Sequence, residues 1–196
     1  MKTVLFNRKK YTLSAREMIE MEKWLRLECI PKIGDALSEE EISSILKLKV
    51  EYVDSANLEA HVEAELVPID DSKYNGLIRV NNECRGKAFA YLHEIIHYAY
   101  DVGIGKKVST PYTRKSKGHT ENKHEQKINY MAAALCMRYE KIDAQIQAYD
   151  ASRPKMDELK FVSGLCREFN QPRPVVIRRI QEVRRIKRQI EKNTPA

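Results

Sequence analysis

The middle of the chain contains the sequence Ala88-Phe-Ala-Tyr-Leu-His93-Glu-Ile-Ile-His97. Its last five residues form an H-E-x-x-H pattern, and apolar residues around it recur at helical spacing over about residues 84–101. Side chains four residues apart lie on one face of a helix, so both imidazoles can reach one metal ion. Glu94 lies about 100° around the helix, where its carboxylate can approach a water on the metal. The pattern predicts His93 and His97 as zinc ligands and Glu94 as the catalytic base.

A catalytic zinc site also needs a third protein ligand and one open position. A metzincin would have a histidine six residues after His97, but that residue is Gly103, so this class is excluded. Glu125 shares one helical face with Ile128 and Ala132 and is therefore expected to point inward. The candidates for the third ligand are His119, Glu121, His124 and Glu125.

A second motif follows downstream of the histidines, Glu125-Gln-Lys-Ile-Asn-Tyr-Met-Ala-Ala-Ala-Leu-Cys-Met137. Together with residues 88–97 it resembles the paired motifs of the ImmA/IrrE family of zinc-dependent metallopeptidases, R-F-T-x-A-H-E-x-x-H and E-x-x-A-N-x-F-A-A-x-L-L-M-P. The resemblance covers about residues 40–138 and departs from the family at Arg138, which replaces the closing proline. It implies that Glu125 is the third ligand of a gluzincin-like zinc site, and that the fold is a small zincin-like domain.

The fold class expected from this pattern is α+β, mostly helical with a small β-sheet. Capping boxes at Ser14–Glu17 and Ser38–Glu41 mark two helix starts. Pro68 lies within the predicted strand Ala64–Ile69 and indicates that this strand is at an edge of the sheet. Residues 103–120 are expected to form a polar loop. The predicted helices lie at about 14–29, 39–48, 84–101, from 121 onward, 155–169 and 174–192. The predicted strands are Lys49–Val53, Ala64–Ile69 and Gly76–Asn81.

Most of the net positive charge lies near the end of the sequence. Residues 167–192 contain nine basic and three acidic side chains, which is +6 of the total formal charge of +7. We expect a zincin-like domain over residues 1–150 and a basic helical element over 151–196. The stretch Leu165–Ile180 resembles a helix-turn-helix, which the family often carries after its peptidase motif. This element is predicted either to pack or dock on a repressor, or to bind DNA through basic residues, namely Arg178, Arg179 and Arg185.

The location of the protein is predicted from features that the sequence lacks. The apolar run Val4–Phe6 is too short for a signal-peptide core. No stretch of 18 apolar residues is present, so no membrane contact is expected. The four cysteines contain no C-x-x-C pair and are expected to be free thiols. These features favour a cytoplasmic protein.

The function predicted from the sequence is zinc-dependent hydrolysis of a peptide bond, with Glu94 transferring the proton. A further group is needed to stabilise the developing negative charge, and the candidates are Tyr98, Tyr112, His119 and His124. The family resemblance implies a protein substrate, a helix-turn-helix transcriptional repressor of a phage, mobile-element or stress circuit. The alternative is a zinc-containing regulator or antirepressor that cleaves nothing and acts by DNA or protein binding through its basic C-terminal helices.

Overall fold

The structure is a computed structural model that describes residues 13–33, 38–84, 86–115, 122–152 and 157–193. Its fold is α+β, mostly helical with one small sheet in the described part of the chain. The α-helices are Ala15–Trp24 (α1), Ile30–Ile33 (α2), Glu39–Leu46 (α3), Lys87–Ile96 (α4), Lys123–Cys136 (α5), Tyr139–Ala151 (α6), Glu158–Glu168 (α7) and Arg173–Asn193 (α8). The strands are Leu48–Val53 (β1), Val62–Val67 (β2), Gly76–Asn81 (β3) and Tyr112–Lys115 (β4). The predicted fold class is confirmed.

Contacts between Cα atoms divide the described chain into two compact units. The first contains the described residues up to Lys23 together with those from Lys123 onward. The second is the continuous stretch from Trp24 to Asn122 and contains the sheet and α4. The domain boundary predicted at residue 150 falls within the first unit and stays a prediction.

The sheet of the second unit has the strand order β1-β3-β2-β4. β3 pairs in parallel with β1 and antiparallel with β2, and β4 pairs antiparallel with β2. The edge position predicted for the strand Ala64–Ile69 is wrong, because β2 lies between β3 and β4. A proline inside a strand removes a backbone N–H that would donate a hydrogen bond to the neighbouring strand. β2 ends at Val67, one residue before Pro68, so this proline removes no such donor. β4 lies within residues 103–120, which were predicted to form a loop, so this strand was not predicted from the sequence.

Strands β2 and β3 alternate strictly between buried and half-buried residues, as expected of a sheet with one face in a core. The buried positions of β3 are Gly76, Ile78 and Val80. Helix α4 contacts β2, β3 and β4, and every residue from Phe89 to Ile96 is buried. The apolar face predicted for this helix therefore forms the core that holds the histidines.

Gly76 permits a close approach between β3 and Val108. A Cβ atom at this position would lie 2.5 Å from Cγ2 and 3.2 Å from Cβ of Val108. Val108 is itself buried, and its N–H donates to the carbonyl of Asn75 over 2.7 Å. The glycine is needed because a β-branched neighbour cannot swing its methyl group away.

Both predicted capping boxes are present. Ser38 Oγ accepts from the N–H of Glu41 and the Glu41 carboxylate accepts from the N–H of Ser38, and Ser14 and Glu17 are bonded in the same reciprocal way. The helix begun at Ser14 continues past its predicted end at residue 29, through π-helical residues Leu25–Cys29 into α2. A second π-helical segment, His97–Gly103, extends α4.

In the first unit the long helix predicted from residue 121 is two helices, because the chain leaves helical geometry at Arg138 with φ −54° and ψ 143°. α6 and α7 both contact α8, whose buried apolar residues follow one stripe, Val176, Ile180, Val183 and Ile186. The predicted helices at 155–169 and 174–192 are confirmed as α7 and α8. The four cysteines are free. Among the described helices, none combines the length and apolar composition needed to cross a bilayer.

Candidate metal centre

The H-E-x-x-H sequence lies where α4 passes into the π-helical segment. His93 and Glu94 belong to the last turn of α4, and His97 is the first residue of the segment that follows. His93 is 1 % exposed and His97 is 3 % exposed, so both rings are shielded from solvent. A buried imidazole needs polar partners, and the contacts of both rings are specific.

The two predicted histidine ligands point at each other through the nitrogen that usually binds metal. His93 Nε2 lies 3.1 Å from His97 Nε2, and the ring planes meet at 69°. Two nitrogens bound to one tetrahedral zinc ion at about 2.0–2.1 Å would be roughly 3.3 Å apart. The pair therefore fits a shared metal ion with only a small adjustment.

Asp101 supplies the outer partner of His97. Its Oδ2 atom lies 2.7 Å from His97 Nδ1, and its side chain is 14 % exposed. Metal-binding histidines commonly donate their other N–H to a carboxylate, which fixes the tautomer and the ring orientation. Asp101 is not among the site residues predicted from the sequence, although its position four residues after His97 could have indicated it.

Arg114 of β4 occupies the outer side of His93. Its Nη1 atom lies 3.0 Å from His93 Nδ1, and its Nε donates to Glu63 over 2.8 Å. The guanidinium also lies 4.9 Å from the centre of the Phe89 ring. Arg114 lies within the predicted polar loop 103–120, and β4 brings it to the histidines.

Glu94, the predicted catalytic base, is fully buried, with 0 % of its surface exposed. It belongs to the same helical turn as His93. Burial of a carboxylate has an unfavourable desolvation free energy, so a carboxylate in a protein core is expected to have a specific role. Its catalytic role stays a prediction.

The structure separates the four candidates for stabilising the oxyanion. Tyr98 is buried, its hydroxyl accepts the N–H of Gly105 over 3.0 Å, and burial raises its pKa. Tyr112 of β4 is half-exposed, and its ring centre lies 5.0 Å from that of His97. Tyr112 is therefore better placed than Tyr98. His124 is exposed in the first unit, and His119 lies outside the described residues.

The four candidates for the third ligand lie away from the H-E-x-x-H helix in the sequence. Glu125 lies in the first turn of α5, in the first unit, and is half-buried. His124 precedes it on the same helix and is exposed. His119 and Glu121 lie outside the described residues. The assignment of Glu125 as third ligand stays a prediction.

Several basic residues of α8 form ion pairs or hydrogen bonds within the first unit. Arg184 pairs with Asp150 and Lys187 with Asp143, both on α6 and both at 3.0 Å. Arg185 donates to the carbonyl of Leu13 over 2.8 Å. Much of the charge that suggested a nucleic-acid surface therefore balances neighbouring acids.

Arg179, one of the three arginines predicted to contact DNA, is completely buried. Its guanidinium pairs with Glu22 at 2.5 Å, its Nε donates to the carbonyl of Met137, and it lies over the ring of Tyr130. Burial lowers its pKa, but the neighbouring acids raise it more, so the guanidinium stays charged. Its side chain stabilises the fold and is shielded from any exposed partner. Arg178 and Arg185 are half-exposed, and the helix-turn-helix reading of α7 and α8 stays a prediction.

Glu182 completes this buried cluster. It is 1 % exposed and lies 3.2 Å from Arg178 and 3.9 Å from Arg179. Burial raises its pKa to about 7, although both arginines act in the opposite direction. The cluster therefore contains a carboxyl group that titrates near neutral pH.

These features define the class of protein. A buried histidine pair on an H-E-x-x-H helix, packed on a small mixed sheet in an α+β fold, is the arrangement of a zincin-like domain. The family model of the peptidase M78 family, described as the IrrE N-terminal-like domain, matches residues 55–180. The chain therefore belongs to this family of metal-dependent peptidases. No curated protein and no solved structure matches the chain significantly.

Proposed function

We propose that the protein is a zinc-dependent metalloendopeptidase. The observation that carries the proposal is the pair of buried Nε2 atoms, of His93 and His97, 3.1 Å apart in a member of a peptidase family. The hydrogen bond between Asp101 and Nδ1 of His97 supports the proposal, because metal-binding histidines commonly donate their other N–H to a carboxylate.

We propose His93, His97 and Glu125 as the ligands of the zinc ion. Two imidazoles and one carboxylate make a donor set that could hold a metal ion, and it suits zinc with one position left for water or substrate. A zinc ion held there would act as a Lewis acid that activates water and polarises a peptide carbonyl.

Glu94 acts as the proton carrier in this proposal. Its carboxylate would take the proton of the attacking water and deliver it to the nitrogen of the departing amine. Its burial supports this role, because exclusion of bulk water keeps the proton on the path between the two groups. Tyr112 is the proposed donor to the developing negative charge, since its half-exposed ring lies beside His97.

The proposed substrate is a helix-turn-helix transcriptional repressor in the same compartment, and this rests on the family resemblance. Removal of such a repressor would switch on the genes that it silences. The proposal is tested by inducing the protein and the Glu94→Gln variant in matched cells and quantifying repressors and new protein N-termini by mass spectrometry. Unchanged repressor levels and no new N-terminus with the wild-type protein would contradict it.

The metal site is tested separately by elemental analysis of purified protein. We expect about one zinc per chain, as for a single mononuclear site, and its loss in both His97→Ala and Glu125→Ala. His61→Asn is the matched control, because it removes an exposed imidazole. The backbone of His61 has a positive φ, which asparagine tolerates. Zinc retained in Glu125→Ala would move the third ligand to another residue, and no zinc in the wild type would overturn the proposal.

A further inference from the structure

The outer contact of His93 differs in kind from that of His97. His97 faces a carboxylate, Asp101, which accepts a hydrogen bond, whereas His93 faces the guanidinium of Arg114, which can only donate one. Arg114 is fixed there by its bond to Glu63 and by the Phe89 ring. The two proposed ligands therefore have outer partners of opposite character.

These partners determine where each ring carries its proton. His97 donates from Nδ1 to Asp101, which leaves the lone pair on Nε2. His93 accepts the Arg114 hydrogen bond at Nδ1, so the neutral ring carries its proton on Nε2. The 3.1 Å separation of the two Nε2 atoms then suits a hydrogen bond from His93 to His97.

A metal ion at Nε2 of His93 requires the other tautomer. The lone pair must then be on Nε2 and the proton on Nδ1, where an N–H of Arg114 is only 3.0 Å away. Two donors would face each other, and a guanidinium charge would lie close to a divalent cation. The hydrogen bond from Arg114 and a metal ion on His93 therefore exclude each other.

We infer that Arg114 is a positioning residue that competes with the metal ion for His93. This inference rests on the proposed metal site. Metal binding breaks the Arg114–His93 contact, and the guanidinium then remains tied to β2 through Glu63. Since β4 contributes Arg114 and Tyr112 together, metal occupancy is linked to the conformation of this edge strand.

The first test needs no variant. In metal-free protein labelled with ¹⁵N, the imidazole nitrogen shifts distinguish the two tautomers of each histidine. We expect the Nε2–H tautomer for His93 and the Nδ1–H tautomer for His97. A metal-free His93 with its proton on Nδ1 would overturn the inference, because Arg114 would then not be its donor.

The second test is a zinc titration against a chromophoric chelator. Arg114→Gln removes the charge, and its amide oxygen can accept a hydrogen bond from Nδ1–H of His93. We expect it to bind zinc about tenfold more tightly, a change of the size that outer partners exert on metal affinity. Arg79→Gln is the matched control, because Arg79 forms the same kind of ion pair in the same sheet, with Glu65 at 2.7 Å.

The outcomes separate this inference from the proposed function. Tighter binding by Arg114→Gln, with Arg79→Gln unchanged, supports the competition. Zinc binding by the wild type without a gain in Arg114→Gln overturns the role of Arg114 and leaves the metallopeptidase proposal standing. Absence of zinc binding in the wild type overturns the metal site and the competition together.

Discussion

Oδ2 of Asp101 lies 2.7 Å from Nδ1 of His97, four residues earlier in the chain. The carboxylate holds the ring so that Nε2 is directed toward His93. It lies in the π-helical segment, a geometry that often occurs at functional sites. The orientation of one proposed ligand therefore depends on a residue outside the H-E-x-x-H motif.

Asp101→Asn should weaken zinc binding by about tenfold while preserving the fold. An amide can still accept the hydrogen bond, but it lacks the charge that makes the imidazole a better ligand. Competition with a chelator measures the affinity. Asp70→Asn, at an exposed position, should behave as the wild type. Equal affinity in both variants would mean that Asp101 has no part in holding the metal.

If the proposed function is correct, Glu94→Gln should retain zinc and hydrolyse the proposed repressor substrate about 10²- to 10⁴-fold more slowly, the usual contribution of a general base. The substitution is nearly isosteric and removes only the ability to accept a proton. Cleavage is measured by the appearance of the new N-terminus, and metal by elemental analysis. Glu83→Gln changes an exposed carboxylate of the same unit and should cleave normally. Full activity of Glu94→Gln would require another proton acceptor.

Arg179→Met should lower the free energy of unfolding by about 3–5 kcal/mol, because Glu22 and the buried Glu182 lose their shared counter-ion. Urea unfolding followed by circular dichroism measures the change. Arg16→Met breaks an exposed pair with Glu20 and should leave the unfolding curve unchanged. If both variants unfold alike, the buried cluster does not stabilise the unit.

The raised pKa of Glu182 makes stability depend on pH in a defined direction. Its pKa increases from 4.5 to about 7 on folding, so between these values the native state binds more protons than the unfolded state. The contribution of Glu182 is therefore fully present below about pH 4.5 and is lost as the pH rises through about 7. Glu182→Gln should flatten the decline measured by unfolding across this window. Glu191→Gln, at an exposed position of the same helix, should retain the wild-type slope.

Gly76→Ala should destabilise the protein by about 1–3 kcal/mol, because the new methyl group overlaps Val108. Gly164→Ala on α7 is the control, since a Cβ atom there meets nothing within 4 Å. That substitution should stabilise by about 0.5–1 kcal/mol through helix propensity. Thermal unfolding compares the two. A Gly76→Ala protein as stable as the wild type would show that Val108 can move.

The features that depend on local interactions were predicted from the sequence. The Ser38–Glu41 capping box, the Gly76–Asn81 strand and the helix bearing His93 depend on neighbouring residues and were predicted. β4 was missed because four residues pairing with distant β2 produce no pattern of their own. Arg114 could not be assigned to the site for this reason, since its approach to His93 depends on that pairing.

The break between α5 and α6 could have been predicted from the family motif. The backbone at Arg138 adopts φ −54° and ψ 143°, which proline readily accepts, and the resembled motif places its closing proline there. The periodic apolar residues continue across the break and so indicated one helix. The ion pairs of α8 could not be predicted for a different reason, since its partners Asp143, Asp150 and Glu22 lie far away in the sequence.

The pairing of Glu22 with Arg179 spans 157 residues of the chain. At a synthesis rate of about 5–20 residues per second, Glu22 of α1 is synthesised roughly 10–30 s before its buried counter-ion. The stretch between Trp24 and Asn122 is continuous and complete well before then. During translation, therefore, the whole stretch that carries the histidine pair is synthesised before Arg179 can pair with α1, and the apolar residues of α1 remain available to chaperones in that interval.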